Sequence, residues 1–301
     1  MPTLTVIRPG FVARVDGVHL ARELAAADVA FLCGAFQAHP VLFFHKQPLT
    51  QDEQLAFAAY WGEIEPPVSP YIYNRDNKRR LKHELSDISN LDEDGKLIGK
   101  TDNRRLVNLA NQLWHTDSTF KRTPAKMSML SAQTVTPVGG ETEFADMRAA
   151  WDALPVERQT TLLDLVARHD YFHSRLQVGL DPTTISPERR GLLPQVPQVL
   201  VRTDPQTGRH SLYLASHIAG IYGMDDAQAK PLVASLMAHA TQDRFVYQHR
   251  WAVDDVVMWD NRYTMHRGRP FEDSSVREMR RATVMDDGPT VPVEKEMAVS
   301  A

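Results

Sequence analysis

A mainly β fold with flanking helices, its strands wound into a double-layered antiparallel barrel of the jelly-roll type, is the class that three features of this sequence predict. Short β-rich runs recur from Leu106 onward, only two long helical stretches interrupt them, and strands and helices do not alternate as parallel βαβ units require. The composition permits the core such a fold needs, because 43% hydrophobic and 24% charged residues is a globular balance and not a disordered one. We read the 301 residues as a single domain, since no repeat, low-complexity tract or Pro/Gly-rich linker divides them.

After a short β-like start, residues 27 to 38 read as a helix, with Asp28 as candidate N-cap and Phe31, Leu32 and Phe36 spaced for one buried face. A strand, Val41 to Phe44, follows. Thr50-Gln51-Asp52-Glu53 has the spacing of a capping box, in which each end side chain satisfies a free amide, and the helix it opens should end near Gly62. From Pro66 to about Arg105 the chain is polar, charged and weakly periodic apart from a strand candidate at Leu85 to Ile88, which predicts a lid insertion at 66–105. Further strands are expected at Met127 to Val135, Val199 to Thr203, Ser211 to Leu214, Arg244 to Tyr247, Val256 to Trp259 and Arg281 to Met285. The two helical stretches are 147–168 and 226–241, and residues after Pro289 read as a loose tail.

The net charge of −4 and pI near 6.3 leave no global positive field to condense nucleic acid. The local cluster Arg75, Lys78, Arg79, Arg80 and Lys82 is either a solvated loop face or a cationic lid over an anionic substrate. Cys33 is the only cysteine, so an intrachain disulfide and a thiolate metal cage are both excluded, and a metal must use His and carboxylate. The N-terminus lacks a basic region followed by an apolar core, and no window approaches the ~18 apolar residues of a membrane span. The expected setting is the reducing cytoplasm, with no membrane partner.

Trp114-His115-Thr116-Asp117 places an imidazole and a carboxylate two residues apart, which in an extended segment puts both on one face. His266 follows the apolar run 256–259 in DDVVMWDNRYTMHRG, read as a strand leading into a loop, and barrel closure would return it to the first pair. Two His and one carboxylate on one side of an ion leave adjacent positions open, the arrangement of Fe(II) enzymes that take a chelating cosubstrate and O₂. Downstream, Arg277 and Arg281 share a face if that run is a strand. A guanidinium matches a carboxylate as a bidentate fork, although a surface ion-pair ladder with Glu272, Asp273 and Glu278 is the alternative. His169 and His173 have the i, i+4 spacing of a helical zinc pair, but no Glu stands beside the first, which favours an exposed or capping role. His45, His217 and His249 read as core or rim histidines.

The segments NLANQLWHTDSTF, SMLSAQTVTPVGGETEFADMRAAWDALP, HATQDRFVYQHRWAVDDVVMWDNRYTMHRG and REMRRATVMDD resemble the taurine and 2,4-dichlorophenoxyacetate dioxygenases, which depend on 2-oxoglutarate. With weaker likeness at VDGVHL and PLTQDEQLAFAAYWG, the resemblance spans nearly the whole chain and is closer to the dichlorophenoxyacetate, or aryloxyalkanoate, type. It implies a double-stranded β-helix core, His115, Asp117 and His266 as ligands of Fe(II), and Arg277 with Thr142 of GGET as the clamp on the far carboxylate of 2-oxoglutarate. Arg281 falls where the family has a second arginine, near the iron-bound end of the cosubstrate and the substrate anion. Asn111 and Ser118, flanking the metal motif, are candidate substrate contacts, with plain structural hydrogen bonding as the alternative.

The reaction implied is O₂-dependent hydroxylation of a small organic acid with release of succinate and CO₂, on an aryloxyalkanoate or on a sulfonate such as taurine. Homo-oligomerisation is expected from the family alone. The substrate is left open, because the family's Thr-His-Pro turn is here Thr203-Asp204-Pro205 and the 66–105 segment has no clear match. Two rivals are a zinc hydrolase using the same His₂Asp set, in which metal-bound water attacks an ester, and a jelly-roll binding module without catalysis.

Overall fold

The run Val256–Asp260 is apolar at almost every position, which is what a strand covered on both faces requires. In the computed structural model, which describes residues 1–68, 79–99 and 108–292, this strand is the middle of a seven-stranded sheet. Numbered in chain order, the strands are β1 (Thr3–Arg8), β2 (Val12–Asp16), β3 (Val41–Phe44), β4 (Ser86–Ser89), β5 (Ala125–Thr134), β6 (Thr142–Asp146), β7 (Val166–His169), β8 (Val196–Val199), β9 (Val201–Thr203), β10 (His210–Leu212), β11 (Ile218–Ile221), β12 (Val246–His249), β13 (Val256–Asp260), β14 (Thr264–Gly268) and β15 (Glu278–Met285). The large sheet has the order β1-β2-β3-β13-β5-β15-β4, and only β2 and β3 run parallel. A three-stranded sheet β12-β6-β14 packs against it, with β11-β7-β8 and the pair β10-β9 beyond.

Alternation along β13 shows where the layers meet. Val256 and Met258 join one core with Phe44, Met127 and Met129, capped by the helices Ala26–Ala38 and Gln51–Ala58 through Leu32, Phe36 and Phe57. Val257 and Trp259 point the other way, into a core shared with Phe43, Leu130, Met279 and Phe144 of the small sheet. The small sheet repeats the device, because Phe144 faces this inner core while Ala145 and Met265 face a third one, built on the helices Met147–Asp152 and Asp226–Ala240. The inner layer between the two sheets is therefore the place where side chains from β5, β6, β13, β14 and β15 converge.

Most sequence expectations match this architecture, and the departures have local causes. The capping box at Thr50 and Glu53 is formed, and its helix gives way to a 3₁₀ turn that stops at Gly62, whose φ is 139°. Asp28 lies in the first turn of its helix and not at the N-cap, which is Ala25. The helix expected over 147–168 breaks at Pro155, which cannot continue the preceding turn. It resumes as Val156–Leu162 and then becomes β7. Arg244 and Phe245 lie in a 3₁₀ turn ahead of β12. His266 is inside β14, not in a loop after a strand. Within the expected lid, the strand candidate near Leu85 is β4, an edge strand paired with β15, while 69–78 and 100–105 lie outside the described residues. Of the basic cluster, Arg80 pairs with Asp87 and Glu278, Lys82 with Asp52, and Arg79 donates to Leu85 O; Arg75 and Lys78 also lie outside. Of the expected tail only 290–292 are described, where Val291 is buried and Thr290 hydrogen-bonds both Gln198 and the amide of Val199; 293–301 lie outside the described residues.

His169 is not on a helix with His173, nor is it exposed. It ends β7, fully buried, with neither ring nitrogen partnered, and burial pushes its imidazole down to about 3. The unfolded chain takes up this proton near the ordinary value of about 6.5, whereas the folded chain resists it, so folding stability should fall as pH drops below that value. Between pH 7.5 and 5.5 this histidine alone should remove about 1.4 kcal/mol. Urea unfolding of His169→Phe at the two pH values should show the loss reduced by that amount. An equal loss in both proteins would show that His169 is not the acid-labile group.

Candidate metal centre

An antiparallel bridge joins His115 to His266, with the amide of each donating to the other's carbonyl at 3.0 and 2.8 Å. It brings the two imidazoles together, ring centroids 4.2 Å apart. Thr116 between the ligands points the opposite way, where its hydroxyl donates to Leu214 O at 2.9 Å, so His115 and Asp117 are left on one face. His115 Nε2 lies 3.8 Å from Asp117 Oδ1, and His266 Nε2 lies 3.6 Å from Asp117 Oδ2. All three predicted metal residues thus meet, each buried.

Their surroundings decide the protonation states. His115 Nδ1 is 2.7 Å from Leu113 O, an acceptor only, so it carries the proton and Nε2 presents its lone pair to the centre. Burial lowers both imidazoles, His266 well below its ordinary value, so each is neutral and able to bind a cation. Burial alone would raise Asp117, yet its carboxyl is held below the usual carboxylate range, first by the Arg281 guanidinium, with the two imidazoles and the Ser128 hydroxyl adding to it. Arg281 Nη1 donates to Oδ1, and Ser128 Oγ to Oδ2 at 2.7 Å. Two neutral imidazoles and one carboxylate, gathered within 4.8 Å of one another, suit a divalent cation of the iron and manganese kind.

Register explains how the support arrives. Ser128 pairs with Trp259 and Thr283, and Leu130 with Val257 and Arg281, so all face the inner layer. Asn261 ties the set together: its Oδ1 accepts from the amide of Asp117 at 3.2 Å and from Trp259 Nε1 at 3.1 Å, while its Nδ2 donates to Ser128 Oγ at 3.0 Å. Sequence reasoning did not single out Ser128 or Asn261. A lone serine on the inward register of KMSMLSAQT was the available signal for the first, and nothing in the sequence marked the second.

Two cavities open beside the triad. One, of about 110 Å³, is lined by His115, His266, Thr142, Arg277, Arg281 and Asn111 among others. Arg277 is buried, and burial draws it down to about 10. Its Nε donates to Gly140 O at 3.2 Å, and no carboxylate pairs with it among the described residues. GGET has a steric reason. Gly139 and Gly140 have φ of 76° and 74°, and a Cβ on Gly140 would sit 3.2 Å from Arg277 Nε. Thr142 Oγ accepts from Trp251 Nε1 at 3.0 Å, which leaves its own proton to donate.

The second cavity, about 90 Å³, shares His115, Asn111 and Arg281 with the first and adds Asp117, Ser118, Glu65, Phe120, Arg175 and His217. Ser118, expected at the substrate, has φ 55° and donates to Glu65 Oε1 at 2.7 Å. His217, expected as a core or rim residue, faces this cavity.

Residues 4–283 match the family described as taurine catabolism dioxygenase TauD, TfdA family. The chain is 44% identical, over 93% of its length and 96% of the relative's, to the alpha-ketoglutarate-dependent 2,4-dichlorophenoxyacetate dioxygenase of Cupriavidus pinatubonensis. It is 34% identical, over 92% of each chain, to the (S)-phenoxypropionate/alpha-ketoglutarate-dioxygenase of Sphingobium herbicidovorans. The crystal structure of AAD-2 with Mn(II) and N-oxalylglycine superposes with a TM-score of 0.88 at 42% identity, covering 97% of this chain and 99% of that one.

Removing the residue that orients three others should loosen the centre without unfolding it. Asn261→Ala should weaken Mn(II) affinity about 10- to 100-fold, the usual effect of losing a partner behind the ligands. Equilibrium dialysis measures this, and affinity within threefold of wild type would mean the network does not position Asp117.

Proposed function

We propose, from the premise that the chain belongs to the taurine catabolism dioxygenase TauD, TfdA family, that it is a 2-oxoglutarate-dependent dioxygenase whose Fe(II) is held by His115, Asp117 and His266. The observation that carries the reading is the buried Arg277, a cation without an acidic partner among the described residues, in a cavity that also contains two of the three metal ligands. The zinc hydrolase alternative is not supported: the relatives above are named as alpha-ketoglutarate-dependent dioxygenases, and the superposed structure holds N-oxalylglycine, a dicarboxylate of 2-oxoglutarate's length.

In this reading the two faced sheets are the halves of a double-stranded β-helix, forming one catalytic domain with a lid drawn from the 66–105 insertion, of which Ser86–Ser89 is built into the large sheet as β4. Arg277 receives the far carboxylate of 2-oxoglutarate as a planar fork, and the Thr142 hydroxyl donates to the same group. Arg281 stays on Asp117, keeping that carboxylate ionised and aimed. Fe(II), held by His115, Asp117 and His266, would supply the redox-active centre at which 2-oxoglutarate and O₂ react, the electrons that reduce O₂ coming from 2-oxoglutarate and from the substrate. Trp259, Phe144 and Leu130 keep the inner layer dry, which protects a reactive site from quenching by water. The net reaction consumes substrate, 2-oxoglutarate and O₂ and yields hydroxylated substrate, succinate and CO₂.

The substrate we infer is a small organic acid of the aryloxyalkanoate kind, with sulfonates as the second choice. Hydroxylation beside an aryl ether oxygen would form a hemiacetal that collapses to a phenol and a carbonyl acid. Succinate release should depend on Fe(II), 2-oxoglutarate and one member of a panel of phenoxyacetates, phenoxypropionates, sulfonates and plain carboxylates. Release driven best by a sulfonate would replace the aryloxy assignment, and no release under any condition would remove the dioxygenase.

Arg277→Met should separate function from stability. It should raise the 2-oxoglutarate requirement by ~2–5 kcal/mol in binding, while the unliganded protein should gain stability because a desolvated, unpaired charge is gone. An unchanged requirement for 2-oxoglutarate would place the clamp elsewhere.

A further inference from the structure

We propose that Arg175 holds the anionic group of the substrate, a carboxylate or sulfonate, in the cavity that does not include Arg277. The proposal rests on the dioxygenase reading above and adds the side chain by which an acid is selected. Arg175 sits on the short helix Tyr171–Leu176, only 7% exposed, with its guanidinium carbon 3.8 Å from the centre of the Tyr171 ring. Stacking on a ring face fixes the plane of the guanidinium and leaves its edge for hydrogen bonds.

That edge is only partly used. Nη1 donates to Ser174 Oγ at 2.7 Å and lies 3.1 Å from His217 Nε2. A guanidinium cannot accept, so His217 Nε2 must offer its lone pair, and Nδ1 then carries the proton and donates to Thr119 Oγ at 3.0 Å. His217 is thereby fixed as a neutral acceptor that steers the guanidinium. Nε of Arg175 is buried and donates to nothing, and among the described residues no carboxylate pairs with this cation. Of the other cations near this cavity, Lys121 is paired with Glu65 and Arg281 with Asp117 through Nη1. Arg281, although its Nε is also without a partner, thus already has a carboxylate counter-ion where Arg175 has none among the described residues. A buried arginine with unspent donors and no counter-ion is unfavourable until an anion supplies both. Glu65 adds selectivity: its Oε2, buried without a partner on the same cavity, disfavours a second negative charge, so a monoanion fits and the dicarboxylate cosubstrate does not.

The test uses the full chain loaded with Mn(II) and N-oxalylglycine, so that no turnover occurs. Calorimetry measures binding of 2,4-dichlorophenoxyacetate, of 2-phenylethanesulfonate and of the uncharged 2,4-dichlorophenoxyacetamide. Arg175→Gln should weaken whichever anion the wild type binds more tightly by about 10- to 100-fold, the range for one charged hydrogen bond, and the amide by less than about threefold. Arg175→Lys, which keeps the charge but loses the fork, should fall between. N-oxalylglycine affinity checks the fold of each variant and the reading below it. If wild type itself fails to bind N-oxalylglycine with Mn(II), the dioxygenase assignment falls. If N-oxalylglycine binds normally, two outcomes overturn Arg175 alone: an anion affinity unchanged in Arg175→Gln, or wild type binding neither anion.

Discussion

Two backbone hydrogen bonds, exchanged between His115 and His266, are the constraint on which the site depends. Side chains alone would place two imidazoles side by side only at the cost of ordering each separately, and their buried edges would have little to hold them. A bridge between main chains fixes both Cα positions before any cation arrives. The remaining ligand needs only the two-residue offset within one extended segment, and Thr116 secures that by taking its own hydrogen bond on the far side. The centre is consequently a property of how the small sheet meets the segment ahead of β5.

Charge is distributed around this point with the same economy. Asp117 is the only acid of the triad, and its carboxylate is kept ionised by Arg281 on one oxygen and Ser128 on the other. Arg281, which the family resemblance puts near the cosubstrate and the substrate anion, borders both cavities and gives Nη1 to Asp117. Of the buried cations lining the cavities, Arg277 in one and Arg175 in the other lack acidic partners among the described residues. The three arginines around the centre thus fall into two states, set by whether a carboxylate is within reach.

Much of this was legible in the sequence because periodicity and spacing carry it. The apolar run of β13, the capping box at Thr50, the His-x-Asp offset and the alternation of Arg277 with Arg281 each follow from a local repeat. His266 was a candidate from its place after the apolar run 256–259, and the resemblance to a known family added the pairing of Arg277 with Thr142. Elements whose form is set by tertiary contact were misread. The stretch 147–168 has helical composition throughout, yet Val166–His169 is a strand because β8 and β11 flank it. Arg175 and His217 gave no local signal at all, since a buried arginine facing a cavity and a surface one have the same neighbours in sequence.

Ile88 lies on β4, the outermost strand of the large sheet, and borders both cavities. Among the described residues that strand pairs only with β15, and none of the three ligands lies on it. Substitutions there can reshape the cleft while the bridge, Asn261 and the inward serine stay as they are. Divergence in diet among related proteins then needs no compromise in how the ion is gripped, and the rim of the sheet becomes the natural place for new specificities to arise.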